Sequence, residues 1–305
     1  VTVSILMAVR NGAAHLPAQL ASFAAQTHRD WRLVASDDGS TDHSRAVLAD
    51  FAAAAGSGRV TVAAGPGRGA AANFLALLAG LPEVPGWAAF SDQDDVWLPE
   101  RLEMGLAALA GETGAALYCS RTWVTDPDLG RRRLSAPRPR PPSFANALVQ
   151  NIAAGNTMLL NPAGAALLRA AAAEAGAVVV HDWWAYQVMT GAGGRVVHDD
   201  RPTLLYRQHG ANTIGVNDGW RAQLRRLGQI ADGTFAGWNR TNLDALSASA
   251  HRFTPEARAL LGGFATVRQT PGPLARLRGL RRLGLYRQTA VQDAGLWLTA
   301  LAGRL

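Results

Sequence analysis

The stretch from Trp87 to Trp97, Trp-Ala-Ala-Phe-Ser-Asp-Gln-Asp-Asp-Val-Trp, constrains this chain more than any other. Four apolar residues lead through Ser91 into three carboxylates within four positions, Asp92, Asp94 and Asp95, and Trp97-Leu-Pro-Glu then opens a helix. Such an apolar run predicts a buried strand that delivers its acids together at the carboxyl edge. Carboxylates that close are costly unless a cation or hydrogen-bond donors are supplied. A hard divalent ion (Mg or Mn) with oxygen ligands answers that need, and Mg²⁺ generally keeps substrate phosphates in its shell. The bland alternative is a solvated acidic turn. Ligand sites of open α/β sheets have the strand-then-acid geometry, which favours the first reading.

The segments before it follow the same plan. Residues 1–9 are apolar and rich in β-branched side chains, then break at Arg10-Asn11-Gly12. Residues 31–36 predict a second strand ending in Asp37-Asp38-Gly39-Ser40-Thr41-Asp42, and 59–64 a third. Leu16, Leu20 and Phe23 give helical spacing over 15–26. Ser40 or Thr41 is placed to cap a helix reaching about 55, and another is expected over 71–81. Strands alternating with helices of this length predict βαβ units and a doubly wound, mostly parallel sheet. Two strand ends then carry acids. Gly65-Pro66-Gly67-Arg68-Gly69 lacks a full dinucleotide or P-loop pattern and reads as a loop, with Arg68 and Asn73 able to face the site.

Further on, a helix is expected over 99–110 and a strand over 115–123. Residues 126–142 hold five arginines, several prolines and no periodicity, as in a mobile surface loop, solvated or gripping an anionic substrate. A polar turn containing Gly155-Asn156-Thr157 precedes an apolar strand, and a helix over 162–174 follows. Val178-Val179-Val180 reads as a strand that stops at His181-Asp182-Trp183-Trp184. There Asp182 is either a base in an apolar setting beside aromatic sugar platforms, or a helix cap with both tryptophans in the core. Leu204-Leu-Tyr-Arg-Gln-His-Gly-Ala-Asn-Thr is another apolar-to-polar edge, where His209 could ligate a metal, contact a diphosphate or satisfy a loop. Beyond about 217 the chain is helical and rich in arginine. The alternation of basic and apolar residues from Leu274 suits either a helix on an anionic membrane or one packed with an arginine face to solvent.

Composition narrows the partners. The formal charge is +7 over 305 residues, all 30 basic residues being arginine, spread widely rather than in one patch. A phosphate-bearing small substrate or an anionic membrane explains this as well as nucleic acid does, and the aromatics sit beside acids rather than among arginines. No nucleic-acid partner is therefore expected. The single cysteine, Cys119, rules out an intrachain disulfide and a cysteine zinc site. No charged leader followed by an apolar stretch opens the sequence, and no apolar run nears the ~20 residues of a spanning helix. A cytoplasmic protein, with peripheral contact at the inner membrane face through its basic helices, is the expectation.

Three motifs resemble the opening of the family-2 glycosyltransferases: Val3-Ser-Ile-Leu-Met-Ala-Val-Arg-Asn-Gly, Ser36-Asp-Asp-Gly-Ser-Thr-Asp and Ser91-Asp-Gln-Asp-Asp-Val-Trp. His181-Asp-Trp-Trp and Tyr206-Arg-Gln-His-Gly-Ala-Asn are similar to the rhamnosyltransferase-like branch that serves bacterial surface polysaccharide synthesis. The resemblance implies a GT-A fold, an α/β Rossmann-like sheet, over about 1–216. Its nucleotide half would be 1–98 and its acceptor half 99–216, with 217–305 a helical extension. It implies that Ala8 and Arg10 line the base pocket and that Asp37, Asp38 and Asn73 serve the nucleotide. Asp92 and Gln93 would adjoin the donor sugar, and Asp94, with His209, would hold the metal. Asp95 would support that shell from behind, and Gln208 would close over the diphosphate. Gly155, Asn156, Thr157, Trp183 and Trp184 would border the acceptor, with Asp182 as general base. Val9-Arg10 departs from the commoner Thr-Tyr before Asn11, which alters contacts near the base.

The implied reaction is inverting transfer of a sugar, rhamnose first, from a dTDP- or UDP-sugar to a glycan or lipid-linked acceptor. Rival readings are a two-carboxylate glycosidase with Asp94 and Asp182 flanking the bond, a nucleotidyltransferase, and a basic RNA- or membrane-binding module. The first ignores the acids at Asp37-Asp38; the second wants a longer glycine-rich basic loop than Arg10-Asn11-Gly12.

Overall fold

The computed structural model describes residues 1–208 and 233–305, so His209 lies outside the described residues. One nine-stranded sheet organises the chain. The first half alternates as predicted: β1 (Val3–Val9), α1 (Leu16–Ala24), β2 (Trp31–Asp37), α2 (Ser44–Ala55), β3 (Val60–Ala64), α3 (Ala70–Ala79) and β4 (Trp87–Ser91). β1 pairs in parallel with β2 and β4, and β2 with β3. The register sets Val9 beside Asp37 and Met7 beside Ser91, so the polar strand ends share one edge.

The second half departs from the parallel pattern. It contains β5 (Val96–Trp97), α4 (Arg101–Ala108), β6 (Ala116–Thr125), β7 (Arg132–Leu134), α5 (Phe144–Ala147), β8 (Leu159–Leu160), α6 (Pro162–Ala172), α7 (His181–Gly191) and β9 (Arg195–Arg207). The order is β3-β2-β1-β4-β8-β6-β9-β5, with β7 on β6. β8 lies antiparallel between β4 and β6, and β5 lies antiparallel to β9, so the sheet is mixed.

Three local expectations need correction. Val178–Val180 form no strand; Val180 is the N-cap of α7, and Asp182 sits in that helix's first turn. Neither Ser40 nor Thr41 caps α2. Asp42 Oδ1 accepts the Ser44 amide proton, while Ser40 Oγ accepts the Asn11 amide at 2.9 Å. Residues 126–142 are not wholly irregular, since β7 pairs with β6 and Arg140 is anchored by Asp293.

Alternation along β1 divides the core. Val3, Ile5, Met7 and Val9 face α1 and α4 through Leu16, Phe23 and Leu102. Leu6 faces Phe74 and Leu78 of α3 and the interior beyond. The C-terminal helices α8 (Thr234–Ala248), α9 (Pro255–Gln269), α10 (Pro273–Arg282) and α11 (Ala290–Leu301) join this second cluster through Leu246, Phe264, Leu280 and Leu296. Each such side chain, fully buried, contributes roughly 1.5–3 kcal/mol, which fixes the helices to the layer that carries α7.

Candidate active site

β4 is buried along its length and ends where the acids begin. One carboxylate oxygen from each of Asp92, Asp94 and Asp95 lies within 4.8 Å of the others. Asp95 is fully buried: its Oδ2 accepts Asn156 Nδ2 at 2.6 Å and its Oδ1 the Arg207 amide at 3.3 Å. Arg207 Nε also donates to the Asp94 carbonyl at 3.0 Å. Among the described residues no donor reaches the Asp92 carboxylate. Burial, then the charges of Asp94 and Asp182, push its pKa up to about 8. Burial likewise holds Asp95 well above the ordinary range, reinforced by Asp92 and Asp94.

These residues fit a hard divalent cation. The donors are all oxygens; both Asp95 oxygens are engaged and the residue is buried, while Asp92 and Asp94 are half-buried within 4.8 Å of it, the side chains that would ligate. One or two carboxylates with the remainder supplied by substrate phosphates is the manner in which Mg²⁺, and similarly Mn²⁺, is held.

Asp182 approaches from α7. Its Oδ1 accepts the Trp183 amide at 2.6 Å and its Oδ2 the Gly155 amide at 3.0 Å. Gly155 opens the 3-10 turn Gly155–Thr157, where a Cβ would stand 2.6 Å from His181 Nε2 and 3.0 Å from Asp182 Cβ. Only glycine lets the turn approach this closely. His181 stacks on Phe74 at 3.7 Å, and burial lowers its pKa to about 4 against the opposing pull of Asp182, so it is neutral near pH 7. Thr157 Oγ1 donates to Ala154 O at 2.7 Å. Asn156 therefore joins the turn to the acid cluster, and Gly155 joins it to Asp182.

The tryptophans are core residues: Trp184 is fully buried, and Trp183, 6% exposed, donates its indole N–H to Ala147 O. Trp184 offers no ring face to a sugar. The expected nucleotide residues are also largely engaged within the protein. Asp38 is 3% exposed and accepts the Gly67 and Gly69 amides, each at 2.7 Å. Asp37 accepts the Ser40 amide and pairs with Arg45. Asn73 is bonded through both ends of its amide to Ser36. Gln93 accepts the Arg10 amide and donates to the Arg10 carbonyl, lacing the acid turn to the end of β1. Arg10 itself is exposed and Ala8 half-buried, leaving them accessible at that edge. The main-chain N–H of Gln208 donates to Thr125 O at 3.0 Å.

Three residues escaped the sequence reading. Tyr206 is half-buried, and burial, then the charges of Asp92, Asp95, Asp94 and Asp182, raise its pKa. Arg207 braces Asp94 and Asp95. Arg101, 1% exposed, donates Nη2 to Phe90 O at 3.1 Å and Asn156 O at 2.7 Å, with its guanidinium 3.5 Å over Trp97. Tyr206 and Arg207 stood inside a motif already noticed; a lone arginine at a helix start carries no such signal.

A mixed α/β sheet with an acid cluster at the end of β4 and a carboxylate facing it from a helix start defines the GT-A class of glycosyltransferases. This chain belongs to Glycosyl transferase family 2, whose family model matches residues 4–176. It is 26% identical to the dTDP-rhamnosyl transferase RfbG of Shigella flexneri over 230 residues, 73% of this chain and 78% of the relative. It is also similar to an Escherichia coli UDP-Glc:alpha-D-GlcNAc-diphosphoundecaprenol beta-1,3-glucosyltransferase, WfgD, at 28% over 116 residues, 38% of this chain and 44% of that one. Among solved structures, S. aureus TarS 1-349 superposes with a TM-score of 0.57 at 12% identity, covering 100% of this chain and 88% of that one. The chain is thus a glycosyltransferase of family 2, rhamnosyltransferase-like in sequence.

Proposed function

We propose that the protein transfers rhamnose from a dTDP-linked donor, with inversion, to a glycan or lipid-linked acceptor in bacterial surface polysaccharide synthesis. The observation that carries this reading is the Gly155–Thr157 turn, which holds Asp182 through the Gly155 amide and the Asp92, Asp94 and Asp95 cluster through Asn156. The similarity to RfbG over most of both chains favours rhamnose and dTDP; that to WfgD keeps a UDP-sugar as the second candidate.

In this reading the diphosphate lies against Asp92 and Asp94, with Gln208 and His209 from the end of β9 closing over it. The base lies at Ala8 and Arg10. Asp37, Asp38, Asn73 and Gln93 act one layer back, holding the loops that shape the pocket. A divalent metal held by Asp92 and Asp94 would offset the negative charge growing on the leaving diphosphate. Asp182, aimed by the Gly155 and Trp183 amides, takes the proton of the acceptor hydroxyl. That oxygen bonds to the anomeric carbon as the bond to the diphosphate oxygen breaks on the opposite face, and one displacement inverts the centre. Asp95 bears on the reaction through its hold on Asn156 and Arg207. Residues 1–216 would form the catalytic unit and 217–305 its helical extension, in the cytoplasm at the inner face of the membrane. No described helix is long and apolar enough to cross a membrane.

Product analysis with a panel of dTDP- and UDP-sugars and Mg²⁺ or Mn²⁺ tests the reading. Transfer from dTDP-rhamnose with inverted anomeric configuration is expected. A retained configuration, or hydrolysis without transfer in the presence of a range of acceptors, would contradict it.

A further inference from the structure

The C-terminal helix pair carries a surface that the catalytic reading does not use. Every exposed residue of α11 is apolar: Ala290, Val291, Ala294 and Leu298, and Ala302 continues the line just past its end. The spacing 291, 294, 298 puts them on one stripe. Val291 is 72% and Leu298 58% exposed. A helix in a water-facing layer normally turns charge outward, and this one turns none.

Beside it lies α10, joined to α11 by Arg276, which donates to Ala300 O at 2.7 Å, and by Arg281, 4.9 Å over the Trp297 ring. Its exposed face repeats at 274, 278, 281 and 282. It sets Leu274, 62% exposed, beside Arg278, Arg281 and Arg282, with no acid on the helix. From 273 to the end of the sequence, six arginines meet one acid, Asp293, which is bound to Arg140 and the Arg287 amide. The apolar stripe and the exposed Arg278, Arg281 and Arg282 together form the pattern that sinks into a headgroup layer, with guanidinium groups on lipid phosphates and aliphatic side chains below.

We propose that α10 and α11 form a docking surface for an anionic lipid bilayer. Charge complementarity selects the bilayer over a second copy of this chain, whose same face would be equally positive. The surface is tied to the site. Arg287 donates to Val149 O at 3.0 Å, Gln288 to Gln150 Oε1 at 2.8 Å, and Asn146 to Tyr286 O at 3.0 Å. Those partners run directly into the Gly155–Thr157 turn. Resting on the reading of a lipid-linked acceptor, this connection presents the acceptor side of the site to the membrane.

The test is partition of the full chain onto vesicles of phosphatidylcholine alone or mixed with phosphatidylglycerol, with nucleotide binding measured in parallel. Salt-sensitive binding to the anionic vesicles only is expected. Leu298→Glu, and the pair Arg278→Gln with Arg282→Gln, should each lower it about tenfold or more. Val84→Glu, at an 88% exposed position in the connection before β4, should change nothing. Thermal melts of the variants establish that they fold. Equal binding to neutral vesicles would overturn the proposal, as would wild-type partition of both helix variants. So would a dimer, dissociated by Leu298→Glu, in a protein that ignores vesicles. Vesicle binding that persists in a protein unable to bind any nucleotide would uphold the surface and count only against the transferase reading.

Discussion

The ends of β2 and β4 look alike in sequence and differ in the folded chain. Each is an apolar strand that runs into acids. At the end of β2, Asp37 and Asp38 are buried and supplied: Ser40 and Arg45 serve one, and the Gly67 and Gly69 amides the other. At the end of β4 three carboxylates crowd within 4.8 Å, and among the described residues none of the donors goes to the Asp92 carboxylate. Between these two strand ends, Asp37 and Asp38 hold loops through the donors they accept, whereas Asp92, half-buried among like charges, is left to a cation and a substrate.

The sharpest way to break this contrast is at Asp94. Asp94→Ala should lower kcat/KM on the order of 10³-fold, measured by steady-state assay, with the melting temperature of the metal-free protein unchanged or higher. Next, Asp182→Asn should cost about 10²–10³ in kcat while nucleotide affinity, followed by calorimetry, stays within a few-fold; a loss confined to KM would deny it the role of base. The β2 end should answer in stability. Asp38→Asn removes a charge-assisted acceptor from two amides and should destabilise by about 1.5–3 kcal/mol in urea unfolding. Asp92→Asn in chelator should do the opposite, stabilising by about 1 kcal/mol, because it removes a carboxyl that burial and the charges of Asp94 and Asp182 disfavour in its ionised form.

The smallest effect is the pH dependence of Asp37. Burial alone would raise its pKa, but hydrogen bonds from Ser40 and Arg45 outweigh burial and hold it below the ordinary 3.8. Its folded-state pKa is therefore below its unfolded one. The resulting stability is present above about pH 4 and is lost as pH falls through the folded value. The melting difference between wild type and Asp37→Asn should accordingly be full above about pH 4 and shrink toward zero in acid.

The alternation of strands and helices through β4 was legible because apolar runs and helical spacing repeat there without interruption. The second half was less so. β5 and β8 have two residues each, too short for any periodicity to mark. Val178–Val180 carry strand-forming side chains, yet they are the approach to α7 and pair with nothing in the sheet. At the site, the crowding of Asp92, Asp94 and Asp95 was readable from three letters of like charge within four positions. The reach of Asn156 to Asp95, across 61 positions, was not, nor the span of Arg101 from Phe90 to Asn156. Those contacts are made by tertiary approach. The identity of Asp38 as a clamp was hidden for a related reason, since its donors are main-chain amides that every residue type supplies.

The most direct test is calorimetric titration of the full chain with dTDP and UDP, in Mn²⁺ and then in chelator, for wild type and Asp94→Asn. The account predicts binding that requires metal, disappears in Asp94→Asn and survives Asp182→Asn. Binding of equal strength in chelator, or in Asp94→Asn with metal, would show that the β4 acids do not hold the donor and would contradict the distinction drawn between the two strand ends.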